Sequence, residues 1–311
     1  MLPTKLLASE STVIEQWLIP MSEAIHRLNY RGTIVYQRDN KIETMRVVHA
    51  AQEGVEQERI LSLNGPKREV VRNGNKVVCY LSDKQTVFVD ENPRQRFFLD
   101  DMLKGIVNHQ DQSYRFALAQ NDQVAARQAR IVSIQPNDDF RYARRIWIDL
   151  KSRLPLQYEV VDADQKTIER MLFTDLAIED RIPAEDLDIA DTLKQQALNW
   201  RLRGPQRHAD DDSAVWSLQS MPAGFRQISH ARREMVNSGQ PVEHIMLSDG
   251  FSAVSIYVDE VTEGTFTSKE VALGIVNSYS RQVGKFHITV MGEVPAKTVR
   301  MIGDGVQYQL K

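Results

Sequence analysis

The sequence predicts an α+β protein: a large curved antiparallel β-sheet, an unclosed barrel with helices on its concave side, followed by a smaller α+β domain. Three observations carry this. Apolar residues repeat at helical spacing near the start of the chain, they alternate with a period of two over most of 33–180, and a polar stretch at 200–213 separates that region from a second set of short apolar runs. At 311 residues the chain exceeds a typical single core, so two domains are expected.

Ile14, Trp17, Leu18, Met21, Ile25 and Leu28 share one helical face, and Thr12 with Glu15 forms a capping box, so a helix is expected over 12–30. From Thr33 the runs TIVYQR, ETMRVVHA, QERILSLN, KREVVR, KVVCYL and TVFVD read as a meander, with Asn73-Gly74 as a tight turn. Phe97, Phe98, Leu99, Met102, Leu103 and Ile106 predict a short helix over 94–109. Strands resume in SYRFALAQ, QVAARQARIVSIQP, RYARRIWIDL, LPLQYEVVD and TIERMLFTDLAI, giving about eleven in all, too many for a flat sheet.

The segment WRLRGPQRHADDDS reads as a solvated linker. The expected organisation is therefore a half-barrel domain at 1–198, a linker at 199–213 and a small α+β domain at 214–311. In the latter, a strand at 225–232 and a hairpin at 242–258 are expected, the hairpin turning on Asp249-Gly250 as a two-residue type I′ turn. Thr267 and Glu270 suggest a capped helix to Gln282 with Gly284 at its C′ position, then a strand FHITVMGEV and a helix after Pro295, roughly βββαβα. Gly303-Asp304-Gly305 reads as a terminal turn.

Hydrophobic residues at 42% and charged residues at 26% describe an ordinary globular chain. A net charge of −3 argues against a nucleic-acid partner. Apolar runs fall far short of the ~20 residues of a bilayer span, and MLPTKLLASE lacks the apolar core of a secretory signal. The single Cys79 excludes an internal disulfide and, between Val78 and Tyr80, reads as a core thiol. The seven histidines form no metal-binding spacing, Glu243 and His244 should point to opposite faces of a strand, and no phosphate-binding or nucleophile motif occurs. No catalytic residue, metal or cofactor is therefore assigned, and a non-enzymatic role is expected. Arg141, Arg144 and Arg145 beside Tyr142, and Arg226, Arg232 and Arg233, read as solvated strand edges, with pairing to lipid phosphates or an acidic peptide as the alternative.

The hairpin PVEHIMLSDGFSAVSIYVDE at 241–260, GEVPAKTVRMI at 292–302, NYRGTIVY at 29–36, ETMRVVHA at 43–50, NGPKREVVRNGNKVVCYLSD at 64–83 and RYARRIWIDLKSRLPLQYEV at 141–160 together resemble the MucB/RseB family. The resemblance covers both domains. It implies a periplasmic regulator whose large domain is similar to the LolA and LolB lipoprotein carriers. Such a protein binds the periplasmic segment of the membrane-bound anti-sigma-E factor (RseA/MucA type), shields it from regulated proteolysis, and is thought to sense mislocalised lipid or lipopolysaccharide. A pure carrier of lipid or lipoprotein acyl chains is the alternative, and homo-oligomerisation is left open. The chain lacks the family's signal peptide and is read as mature or truncated, and Arg153 stands where a turn glycine is expected. For lipid, side-chain parity nominates Ile34, Tyr36, Met45, Val47, Ile146, Ile148, Tyr158, Met171 and Phe173. For the protein partner, Arg232, Arg233, Glu243 and His244 are the candidate contacts.

Overall fold

A computed structural model of the chain describes residues 13–91, 99, 113–189, 191–203, 216–234, 241–260 and 268–308. Thr12 of the expected capping box lies outside them, as does the helix expected over 94–109 except Leu99, which is buried in the core.

The described residues open with a π-helical turn, Ile14–Leu18, that continues as α1, Ile19–Arg27. Pro20 explains the wide turn, because it offers no N–H to the Gln16 carbonyl and its ring crowds that oxygen. Trp17, Leu18, Met21 and Ile25 are buried against the sheet. The helix ends before residue 30 because Asn29 already pairs with Glu179 in the first strand, while its side chain bonds the Asp180 carbonyl and the Ala51 amide.

Eleven antiparallel strands follow, as the alternation predicts: β1 Asn29–Arg38, β2 Lys41–Gln52, β3 Val55–Ser62, β4 Arg68–Asn73, β5 Lys76–Leu81, β6 Thr86–Asp90, β7 Tyr114–Val124, β8 Arg127–Pro136, β9 Ala143–Asp149, β10 Pro155–Val161 and β11 Thr167–Glu179. A twelfth, β12 at Arg201–Arg203, pairs in parallel with β6. The linker expected at 199–213 thus begins with a strand, since the free edge of β6 offers its backbone groups to any extended segment within reach. Strand order runs β12-β6-β5-β4-β3-β2-β1-β11-β10-β9-β8-β7, with β12 and β7 at its two ends, so the curved sheet stays unclosed. Two short helices unforeseen in the sequence, α2 Ala184–Leu187 and α3 Asp191–Ala197, precede β12. Leu187 packs on Val48, Ala50 and Ile182, away from the main core.

Register aligns the inner face. Ile34 pairs with both Met45 and Phe173, and Tyr36, Met171, Tyr158 and Ile146 follow one another across four strands. Gly32 pairs with Val47 in this layer, and a Cβ added there would lie 2.8 Å from Phe173 Cδ1. Gly32→Ala should therefore cost about 1–3 kcal/mol by overpacking. An unchanged denaturant midpoint would show that the sheet yields at this point.

Two turns differ in detail from expectation. Asn73 pairs with Lys76, so Gly74-Asn75 forms the loop, with Gly74 at φ 53°. Arg153 takes φ 67° without being glycine, and its guanidinium lies 4.2 Å from the Trp17 ring, a cation–π contact that offsets the strain.

The second domain is a six-stranded antiparallel sheet. After β13 Trp216–Leu218 come β14 Arg226–Glu234, β15 Pro241–Ser248, β16 Ala253–Glu260, β17 Lys269–Leu273, β18 Val276–Val283 and β19 Phe286–Gly292, ordered β14-β15-β16-β19-β18-β17. Helix α4, Ala296–Gly305, covers one face with Val299 and Ile302, and β20 Val306–Tyr308 pairs with β13.

The helix expected to run to Gln282 is instead the β17–β18 hairpin, turning at Gly274-Ile275, with Thr267 of its expected cap outside the described residues, so among the described residues βββαβα is replaced by a sheet with one terminal helix. Val271 and Leu273 are exposed, whereas Asn277 and Tyr279 are buried two apart. β19 supplies the ladder that this period requires. Gly284, at φ 59°, belongs to the next hairpin turn and not to a helix C′ position. Gly303-Asp304-Gly305 is the last turn of α4 and not a free terminal turn. The hairpin at 241–260 forms, but Ser248 pairs with Ala253, which makes its loop four residues long, Asp249–Ser252.

Candidate functional site at the domain junction

The four-residue loop is long because Asp249 is engaged twice. Its Oδ1 accepts the Phe251 and Ser252 amides at 3.0 and 2.7 Å, closing the turn on itself. Its Oδ2 accepts Arg141 Nε at 2.6 Å and Tyr114 OH at 3.0 Å, both from the large sheet domain. The Arg141 and Asp249 side chains are fully buried. Arg141 also donates to Asp138 and to the Ala223 carbonyl. Burial and contact with Asp249 push the Tyr114 phenol upward, so it stays a donor.

Arg144 enters the same junction. It donates to Tyr158 OH at 2.9 Å, Ser252 Oγ at 3.1 Å, and the Phe251 and Tyr142 carbonyls at 3.3 and 3.4 Å. Asn277 bonds Tyr142 OH at 3.0 Å, and Thr298 bonds the Phe140 carbonyl at 2.7 Å. The reading of Arg141 and Arg144 as solvated edges is thus overturned. Both are buried because a loop about a hundred residues later covers them.

Apolar contacts complete the junction. Phe251 and Ile275, from two turns of the second domain, are buried within the first domain's core cluster, with the Phe251 ring centroid 4.6 Å from that of Tyr114. Beside them lies a cavity of about 300 Å³, walled by Tyr36, Met45, Tyr158, Val160, Phe251 and Ile275 and carrying Arg38, Arg68, Arg144, Glu43, Glu169 and Glu293. Arg38 pairs with Glu169 at 3.0 Å and Arg68 with Glu43 at 3.1 Å. Burial raises the Glu169 carboxyl above its usual range, partly offset by hydrogen bonding from Tyr36 and by the charge of Arg38. Burial, reinforced by Glu169, likewise pushes the Tyr36 phenol far up.

The nine lipid candidates share one face, but in two situations. Ile34, Val47, Ile146, Ile148, Met171 and Phe173 are wholly buried in the core cluster, whereas Tyr36, Met45 and Tyr158 line the cavity. Trp147 lies on the opposite face with Ile131 and Leu156. Among the partner candidates, Arg232 is exposed on the edge strand β14, and Arg233 pairs through its backbone with Val242. Glu243 holds His230 at 3.1 Å. His244 is buried, stacked on Tyr257 at 4.5 Å and bonded to Ser255 Oγ at 3.0 Å, so it offers no outward surface. Burial raises the Cys79 thiol, partly offset by Arg68, which suits a packing group and not a thiolate.

A second polar cluster anchors α1. Glu56 Oε1 lies 2.8 Å from His26 Nδ1 and 3.0 Å from His49 Nε2, and His49 Nδ1 faces the Leu28 carbonyl at 2.8 Å. Burial by itself would raise the Glu56 carboxyl, but bonds from His26 and His49 outweigh it and hold it below the usual range. A carboxyl depressed in the folded state contributes stability above its unfolded pKa and loses it as pH falls through the folded value. Glu56→Gln should accordingly flatten the acid limb of the thermal-stability profile below the ordinary carboxylate range. An acid limb as steep as that of the unmodified protein would assign the loss to other groups.

Two β-rich domains clamped through buried charge, with a cavity of about 300 Å³ at their seam, define a two-domain protein built on a large unclosed sheet. The model of the MucB/RseB N-terminal domain matches residues 13–191 and that of the MucB/RseB C-terminal domain residues 210–307, and the chain belongs to the MucB/RseB family. It is 23% identical over 309 residues to the sigma-E factor regulatory protein RseB of Haemophilus influenzae, covering 99% of this chain and 96% of that protein. It is 24% identical over 302 residues to the sigma factor AlgU regulatory protein MucB of Pseudomonas aeruginosa, covering 95% and 91%. The solved MucA/MucB complex of Pseudomonas aeruginosa shares the fold with a TM-score of 0.76 at 22% identity, covering 96% of this chain and 99% of that one. The family is one of sigma-factor regulators.

Proposed function

We propose that this chain is a periplasmic, non-enzymatic regulator that binds the periplasmic segment of an RseA/MucA-type anti-sigma-E factor, shields it from regulated proteolysis, and releases it on sensing mislocalised lipid or lipopolysaccharide. The observation that carries this reading is the match of both family domains, in order, across nearly the whole chain. Relatives matched over almost their full length are named regulators of sigma factors, and one has been solved with MucA(peri).

In this reading the first domain extends through β12, the boundary falls between Arg203 and Trp216, and the second domain follows. The edge strand β14 lies at the border of its sheet with Arg232 exposed. An extended peptide can add to such an edge through backbone hydrogen bonds, with the exposed Arg232 there to select its charge.

The test is protease protection of a purified anti-sigma periplasmic segment. Protection is expected with the full chain, and Arg232→Glu should weaken binding by about 1 kcal/mol, read as a several-fold higher Kd. A segment cut equally fast with and without the protein would overturn the regulator reading in favour of a lipid or lipoprotein carrier.

A further inference from the structure

We propose that the groove between the β3–β4 hairpin and the α3–β12 segment binds a neutral oligosaccharide, with Trp200 as the platform for a sugar ring and the side-chain amides of Gln85, Gln196 and Asn199 as partners of its hydroxyls. The inference goes beyond the regulator reading and does not depend on it.

Placement is the first argument. The groove encloses about 910 Å³, at the large end of ligand pockets. Every residue that lines it belongs to the first domain, so it is no part of the junction. Leu61 and Glu69, paired across β3 and β4, line one wall, and by alternation they face away from Ile60, which packs on the core. The other wall is Leu193 and Gln196 of α3 with Asn199 and Trp200, which lead into β12. This second wall is fixed by the pairing of β12 with β6, and the Arg201 amide donates to the Gln85 carbonyl at 2.9 Å. Gln85 itself takes φ 44° and ψ 49°, a left-handed backbone that a residue other than glycine adopts only where its surroundings hold it.

Chemistry is the second. Five neutral polar residues line the groove, Ser62, Ser82, Gln85, Gln196 and Asn199, and among the described residues the side chain of none of them hydrogen-bonds within the protein. Amide and hydroxyl side chains donate and accept together, which matches sugar hydroxyls, and a planar amide can bridge two adjacent ones. The charged residues of the groove are largely spent. Arg59 holds Glu69 at 2.6 Å and Glu43 holds Arg68 at 3.1 Å, which leaves Lys67, exposed, as the lining cation without a carboxylate among the described residues. An anion would be better served by a guanidinium fork, and an acyl chain by more apolar wall than Leu61 and Leu193 supply. Trp200 is half-buried, whereas Trp17, Trp147 and Trp216 are buried in the cores, so Trp200 is the indole open to a ligand. The negative face of its ring suits the weakly positive C–H groups of a sugar.

The experiment is calorimetric titration of the full chain with maltotetraose, cellotetraose and chitotetraose, beside tetragalacturonate as the anionic comparison. At least one neutral tetrasaccharide is expected to bind and to shield Trp200 from acrylamide quenching, a signal the three buried indoles contribute little to. Trp200→Ala should lose about tenfold in affinity and Trp200→Phe less. Because Trp200→Ala also loosens the start of β12, the exposed Gln196 and Asn199 are tested separately. Gln196→Ala and Asn199→Ala should each weaken binding about threefold at unchanged thermal stability. Binding by none of the three neutral sugars would overturn the proposal, and full affinity in the Gln196→Ala, Asn199→Ala double variant would remove this groove as the site. Tighter binding of tetragalacturonate would overturn the neutral ligand in favour of an anion held by Lys67.

Discussion

Asp249→Ala is expected to destabilise the closed two-domain state by about 3–5 kcal/mol, the range for removing one partner of a buried ion pair. The carboxylate has four partners: Arg141, Tyr114 and the amides of Phe251 and Ser252. Its removal leaves the Tyr114 hydroxyl without this acceptor and Arg141 with Asp138 and a carbonyl only. Two of the lost bonds lie inside the second domain's loop and two cross the junction. Loop residues 249–252 and the start of β7 should therefore exchange amide protons much faster, while α1 and the sheet centre stay protected. Asp249→Asn keeps the size of the side chain but replaces one accepting oxygen with a donating NH2, so it removes the charge together with the two bonds that oxygen accepts. A denaturation midpoint within error of the unmodified protein for both variants would show that the pair does not hold the domains together.

Phe251→Ala should cost about 3–5 kcal/mol, the usual range for emptying a buried aromatic site. Phe251 packs on Tyr114, near Phe116 and under the Arg144 guanidinium at 5.6 Å. Because Phe251 and Asp249 share one loop, the double substitution should cost less than the sum, as coupled neighbours do. Full additivity would mean that the apolar and charged halves of the junction act independently. Scattering from either variant should report a larger radius of gyration if the junction opens.

Much of the architecture was legible in the residues. A period of two, broken by short polar turns, announced eleven strands because a half-buried sheet demands alternation, and residues of α1 recur at helical spacing because they must cover that sheet. The segment 269–283 misled because Val271, Ile275, Val276 and Tyr279 fit a helical stripe as well as a strand. An available edge on β19 decided between them. For the candidate site, parity found Tyr36, Met45 and Tyr158 but could not separate them from sealed neighbours such as Phe173, since alternation reports a face and not what covers it.

By itself, then, the sequence determined the sheet, its two-domain division and the family, all of which rest on local period, turn residues and long ordered matches. Only the tertiary structure decided what Asp249, Arg141 and Arg144 do. A charged side chain near a strand is solvated unless something distant covers it, and here that cover is a loop 108 residues along the chain. Burial and pairing of charge are properties of two surfaces meeting, and no single stretch of sequence contains both.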